Sequence, residues 1–73
     1  MAKGKSPVLL EFAKKVRLRR YELGLTQEQL AERANFHVNY IGGIERGERN
    51  PSVESVVALA KALEISPKEL MPE

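Results

Sequence analysis

Apolar residues recur at helical spacing along most of the 73 residues, interrupted by short polar or glycine-bearing stretches. Leu9, Phe12, Ala13, Val16 and Leu23 form one stripe, predicting a first helix over about residues 7–23. Ser6-Pro7 opens it, a capping hydroxyl followed by proline at the first helical position, and Gly24 with Leu25 supplies a Schellman end. Thr26 and Gln29 make a capping box for a second helix over residues 27–34, where Leu30, Ala31 and Ala34 share a face. Asn35 stands where the chain must turn, and asparagine tolerates a left-handed backbone better than most residues. Phe36 follows as an apolar plug. Ile41 and Ile44 then place a third helix from His37 or Val38 onward, with Gly47 as its C-cap. Ser52 caps a fourth helix with Glu54 in its first turn, and Ser66-Pro67-Lys68-Glu69 is a second capping box that opens a short last helix bearing Leu70 and Met71. The pattern predicts an all-α protein, a compact bundle of about five short helices. It divides into a basic flexible arm over residues 1–6 and a single domain over residues 7–73.

The second and third helices, joined by so tight a turn, describe a helix-turn-helix, and Ala31 lets the two cross closely. With Ile41 and Ile44 inward, His37, Val38, Asn39, Gly42, Gly43 and Arg46 are left toward the outside. Arg20 is a charge on the apolar side of the first helix and needs a partner, for which Glu45 is the candidate. The fourth helix, with Val53, Val56, Val57, Leu59, Ala60 and Leu63 and then Ile65, is too apolar for one buried face alone. A two-fold dimer interface made by Leu70, Met71 and neighbouring Val57 or Ile65 is the expectation.

Composition narrows the chemistry. There is no cysteine, no aspartate and one histidine, so thiolate metal sites, disulfides and nucleophile–base constellations are essentially unavailable. An enzyme is not expected, nor a cofactor, a metal or a small-molecule ligand. No apolar run reaches membrane-spanning length, and the start MAKGKSP lacks the apolar core of a signal peptide. A cytoplasmic protein is the expectation. The net charge is only +2, but residues 1–20 stand at +6 and the remainder at −4. Such asymmetry fits a face or arm that meets a polyanion, or merely a basic tail and a solvated helix face.

Residues 24–52, GLTQEQLAERANFHVNYIGGIERGERNPS, closely resemble the lambda repressor/Cro-like, or XRE, family of DNA-binding domains. With the flanking helices the resemblance extends over roughly residues 8–71. It implies a sequence-specific transcriptional regulator, a homodimer on double-stranded DNA with a palindromic operator. His37, Val38, Asn39, Gly42 and Gly43 are then the base-reading positions, and Gln27, Arg17, Tyr40, Arg46, Arg49 and Asn50 the phosphate-binding ones. Asn39 is the best direct reader, because a carboxamide pairs bidentately with adenine. Val38 can pack on a thymine methyl. The family commonly ties its first helix to the recognition unit by an Arg–Glu pair at the places of Arg20 and Glu45. Two helix-interior glycines cost about 1 kcal/mol each, and the expectation is that one of them faces the groove and the other neither DNA nor helix. NYIGGIERGERNPS is most similar to restriction–modification controller proteins, for which RNA polymerase is a further possible partner. The departures are His37, where relatives have better caps, and Val38, where controllers often carry a guanine-reading arginine. A phage Cro-like repressor, an antitoxin, or a protein-interaction module on the same fold are the alternatives.

Overall fold

A computed structural model describes residues 6–72. Within them the chain forms α1 (Pro7–Glu22), α2 (Gln27–Ala34), α3 (Val38–Glu45), α4 (Val53–Ala62) and a single 3-10 turn, Pro67–Glu69. The fifth helix expected from the sequence is therefore only that one turn. Ser6 caps α1 as the Ser6-Pro7 pattern predicts, its Oγ accepting from Leu9 N at 3.4 Å. The rest of the expected arm lies outside the described residues.

Local chemistry sets every boundary. α1 closes in a Schellman motif: Leu25 N donates to Arg20 O and Gly24 N to Tyr21 O, both at 3.0 Å, with Gly24 at φ +70°. The capping box of α2 is complete, with Gln29 N to Thr26 Oγ1 at 3.0 Å and Thr26 N to Gln29 Oε1 at 2.8 Å. Asn35 turns the chain at φ 61°, and Phe36 N returns to Ala31 O at 2.8 Å. α4 ends in the same geometry as α1, but with Glu64 at φ 61° where glycine would be unstrained.

Phe12 and Val16 of α1, Leu30 of α2, Ile41 and Ile44 of α3, and Leu59 and Leu63 of α4 meet in one core. Ala31 and Ala34 are buried where α2 faces α3 and α4, the small side chains allowing close approach. Arginines from other helices finish the helix ends. Arg19 Nε donates to Leu63 O at 2.9 Å and Arg33 Nη1 to Ala62 O at 3.2 Å, satisfying carbonyls that α4 leaves open. The basic side of α1 is thus partly used within the molecule rather than kept for an outside partner.

Leu70 corrects the expected dimer interface. It is completely buried and belongs to the core, whereas Met71 is 46% exposed. In a 3-10 turn, Leu70 N donates to Pro67 O, and three residues per turn bring Leu70 under α4 while Met71 swings outward. Lys15 Nζ, donating to Met71 O at 3.1 Å, ties this segment back to α1. Leu70→Ala should therefore cost about 2–3 kcal/mol, and Met71→Ala only a few tenths, in urea melts of the two variants. Equal midpoints would contradict the burial.

Candidate nucleic-acid interface

α2 and α3 carry the site, and the capping just described fixes their crossing. The ring of His37 caps α3 itself: Nδ1 accepts from Asn39 N at 3.0 Å, so the proton of the neutral ring sits on Nε2. His37 and Asn39 are exposed, and Val38 is half-buried against the core. The Asn39 carboxamide therefore stands in solvent at the first turn of α3, the part of a recognition helix that reaches base edges.

Beneath this face lies a polar knot. Arg20 Nε donates to Glu45 Oε2 at 2.7 Å and Nη2 to Glu45 Oε1 at 2.8 Å, a bidentate pair with both residues buried. Arg20 Nη1 donates to Leu25 O at 2.9 Å. The hydrogen bonds to Glu45 raise the Arg20 pKa above the ordinary arginine value, outweighing the burial that lowers it. Gln27 Nε2 also donates to Glu45 Oε1, at 3.1 Å, and Arg17 Nη1 donates to the Glu45 carbonyl that closes α3. Gln27 and Arg17, expected on phosphates, are thus both anchored at Glu45, one on its side chain and one on its backbone. Gln27 remains at the first position of α2, where the amide end of the helix favours an anion.

The glycine pair differs from expectation. Both Gly42 and Gly43 are buried, and each is covered by an arginine. A methyl on Gly42 would stand 3.0 Å from Arg46 Nη1, and one on Gly43 only 2.7 Å from Arg49 Cγ. Neither glycine is an open floor of the groove in this conformation. The cost of two glycines is offset here by letting two long cationic side chains lie flat along the helix. Arg46 Nε also donates to Glu48 Oε1 at 2.9 Å.

Tyr40 is half-buried and packs edge-on against Phe36, with ring centroids 5.0 Å apart. Its hydroxyl hydrogen-bonds Ser55 Oγ of α4 at 3.2 Å, so it has an intramolecular partner where a phosphate was expected. The Arg49 guanidinium carbon lies 5.9 Å from the centroid of the same ring. Asn50 is exposed in the loop that follows.

A second surface is apolar. Val57 is 49% exposed and Val53 80%, and with Met71, Pro51, Val56, Pro67 and Lys68 they line one shallow groove. Val53 and Pro67 were not expected there. Val53 is the first residue of α4, and the helix pattern alone assigns it to neither face. Ile65 is half-buried against the core. Among the described residues, no helix is long and apolar enough to cross a membrane, and no cluster of His, Cys, Asp or Glu is suited to a metal ion.

Comparison with known proteins places this arrangement. The family model described as helix-turn-helix matches residues 9–70. Control protein C.BamHI of Bacillus amyloliquefaciens is 40% identical over 65 residues, 88% of this chain and 80% of that one. The crystal structure of the restriction–modification controller protein C.AhdI from Aeromonas hydrophila superposes with a TM-score of 0.84 at 43% identity, covering 86% of this chain and 96% of that one. The controller protein C.Esp1396I, as a tetramer in complex with its natural 35 base-pair operator, gives a TM-score of 0.80 at 36% identity, covering 89% of this chain and 96% of that one.

Proposed function

Since the chain belongs to the helix-turn-helix family, we propose that it is a sequence-specific transcriptional regulator of the restriction–modification controller type, acting as a homodimer on a palindromic operator. The observation that carries this reading is the solvent-facing Asn39 in the first turn of α3, with Arg46 and Arg49 lying over Gly42 and Gly43 farther along the same helix and Gln27, at the N-terminus of α2, near Gly42. A duplex laid across that face meets a carboxamide at the base edges and cations farther along the helix, the division of labour of a groove-reading helix. Val38 in place of a guanine-reading arginine points to thymine methyl contact and a base preference different from that of controllers that carry one.

Each protomer inserts α3 into one half-site, the two half-sites lying about 34 Å apart on one face of the duplex. Affinity comes largely from neutralised phosphates and falls steeply with salt. The apolar groove around Val57 and Met71 holds the second protomer. A tetramer on a long operator, as formed by C.Esp1396I, would be two such dimers side by side. The protein works in the bacterial cytoplasm without catalytic activity, its occupancy set by dimer concentration, with RNA polymerase beside the operator as a further partner.

The test is selection from a random duplex pool with the purified protein, followed by sequencing. A two-fold symmetric site should emerge. Asn39→Ala should lose about 1–3 kcal/mol per half-site at the adenine it reads, while mixed-sequence binding stays unchanged. Weak sequence-blind binding by the parent would instead favour a protein-interaction role for the fold.

A further inference from the structure

We propose that Gly43 is a positioning residue for DNA binding: with Tyr40 it forms a seat that holds Arg49 as a preset phosphate clamp. The inference rests on the DNA-binding reading above and goes beyond it by assigning the second glycine of α3 a task other than base contact.

Three observations meet at Arg49. The nearest side-chain atoms over Gly43 are Cγ, Nε and Cδ of Arg49, at 2.7, 3.4 and 3.6 Å from where a β-carbon would be. The stem of the arginine therefore lies on the bare backbone of α3, in space that any other residue would fill. Its guanidinium is then over the Tyr40 ring, 5.9 Å from the centroid. That ring cannot swing freely, because its hydroxyl is bonded to Ser55 Oγ and its edge is fixed against Phe36. The loop behind is fixed as well: Glu48 N donates to Gly43 O at 2.9 Å and Gly47 N to Ile44 O at 3.0 Å, so Arg49 leaves the helix end from a defined point. An arginine on an exposed loop ordinarily samples many rotamers and loses that freedom on binding. Laid on a glycine floor against an aromatic wall, it has surrendered part of that freedom beforehand, which favours association.

Gly42 differs in kind. A methyl there meets the Nη1 tip of Arg46 at 3.0 Å, with Gln27 Oε1 in ordinary contact at 3.8 Å, and an arginine tip can move aside. At Gly43 the obstacle is Cγ, near the root of the side chain, and moving it redirects everything beyond. Gly43 itself has helical geometry, so alanine is compatible with the backbone and favours the helix.

The experiment compares parent, Gly43→Ala, Arg49→Gln and the double variant on mixed-sequence duplex DNA across a salt series, after thermal melts confirm folding. Gly43→Ala is expected to melt no lower than the parent yet bind about tenfold more weakly at low salt. The slope of log K against log salt should fall by about 0.9, one phosphate contact. Arg49→Gln should show the same loss, and adding Gly43→Ala to it should change nothing further. Should the parent bind no DNA, the functional reading itself fails. Should the parent bind and Gly43→Ala match it in affinity and slope, the seat alone is overturned. A Gly43→Ala loss that persists undiminished in the Arg49→Gln background would also overturn it, since the glycine would then be touching DNA directly. If Gly43→Ala does not fold, the heteronuclear NOE of Arg49 Nε in the free parent decides: a value near that of the backbone supports the seat, and one typical of a free side chain overturns it.

Discussion

Glu45→Ala is expected to cost about 3–5 kcal/mol and to lower the melting temperature by at least about 12 °C in a domain of this size. The reason is not that the Arg20–Glu45 pair is strongly stabilising in itself. Taking both charges out of water consumes much of what their attraction returns. Removing Glu45 alone, however, leaves the Arg20 guanidinium buried with two of its donors unmatched, and it also deprives Gln27 of its acceptor. A domain of this length has only about 4–11 kcal/mol of stability in total, so a substantial unfolded fraction at 37 °C should follow. Arg20 offers no escape by losing its proton. A guanidinium keeps its proton even without Glu45. In the parent, the hydrogen bonds to Glu45 raise its folded pKa, so the stability they contribute is fully present below the unfolded arginine value and is lost only as pH climbs through the still higher folded one. The double variant Arg20→Met, Glu45→Leu separates the two meanings of the pair. It should recover most of the melting temperature, because an apolar pair of similar volume suits the site. It should not recover full DNA affinity, because Gln27 at the start of α2 stays unanchored. Urea and thermal melts of the single and double variants decide this. A Glu45→Ala melt within a degree or two of the parent would end the argument.

The parts of this architecture that were legible in the sequence are those decided by short-range chemistry. Ser6-Pro7, the Thr26/Gln29 box, Gly24-Leu25 and Asn35 each act within a few residues, and they set the helix ends within a residue of where the pattern places them. The Arg20–Glu45 contact was legible for a related reason: an arginine on an apolar stripe needs a carboxylate, and the resemblance implied which one. What stayed hidden depends on side chains that travel. The positive charge of residues 1–20 read as a face or arm for a polyanion or a solvated helix face, yet the long stems of Arg17, Arg19 and Lys15 reach Glu45 O, Leu63 O and Met71 O, and helical spacing says nothing about carbonyls left open at the ends of other helices. The glycine pair read as open surface because a helical wheel sees only its own helix. Arg49 returns onto Gly43 from beyond the C-cap. Leu70 was misplaced for a third reason. A capping box announces that a helix begins, not how far it runs. With Pro72 close behind, the segment has room for one tight turn, whose period of three buries Leu70 and exposes Met71.

Val57→Asp should leave the protomer folded but reduce operator affinity by at least ~100-fold. Val57 is about half exposed on α4, so a carboxylate there finds water in the monomer and costs little, roughly half a kcal/mol or less. In the proposed dimer the same change acts twice. An isologous interface presents the identical patch from both protomers, so each substitution puts a desolvated charge into the apolar groove shared with Val53 and Met71, and the two aspartates repel across the axis. Losing the dimer removes the tether that makes the second α3 insertion intramolecular, and that effective concentration is the source of the expected loss. Sedimentation at micromolar protein should report half the parent mass, and half-site binding at high concentration should survive. That survival matters, because it separates a broken interface from a damaged recognition helix. A Val57→Asp protein that sediments with the parent would move the interface off this groove. The interface would then have to be sought on α1, where Val8, Leu18 and Tyr21 are each more than half exposed.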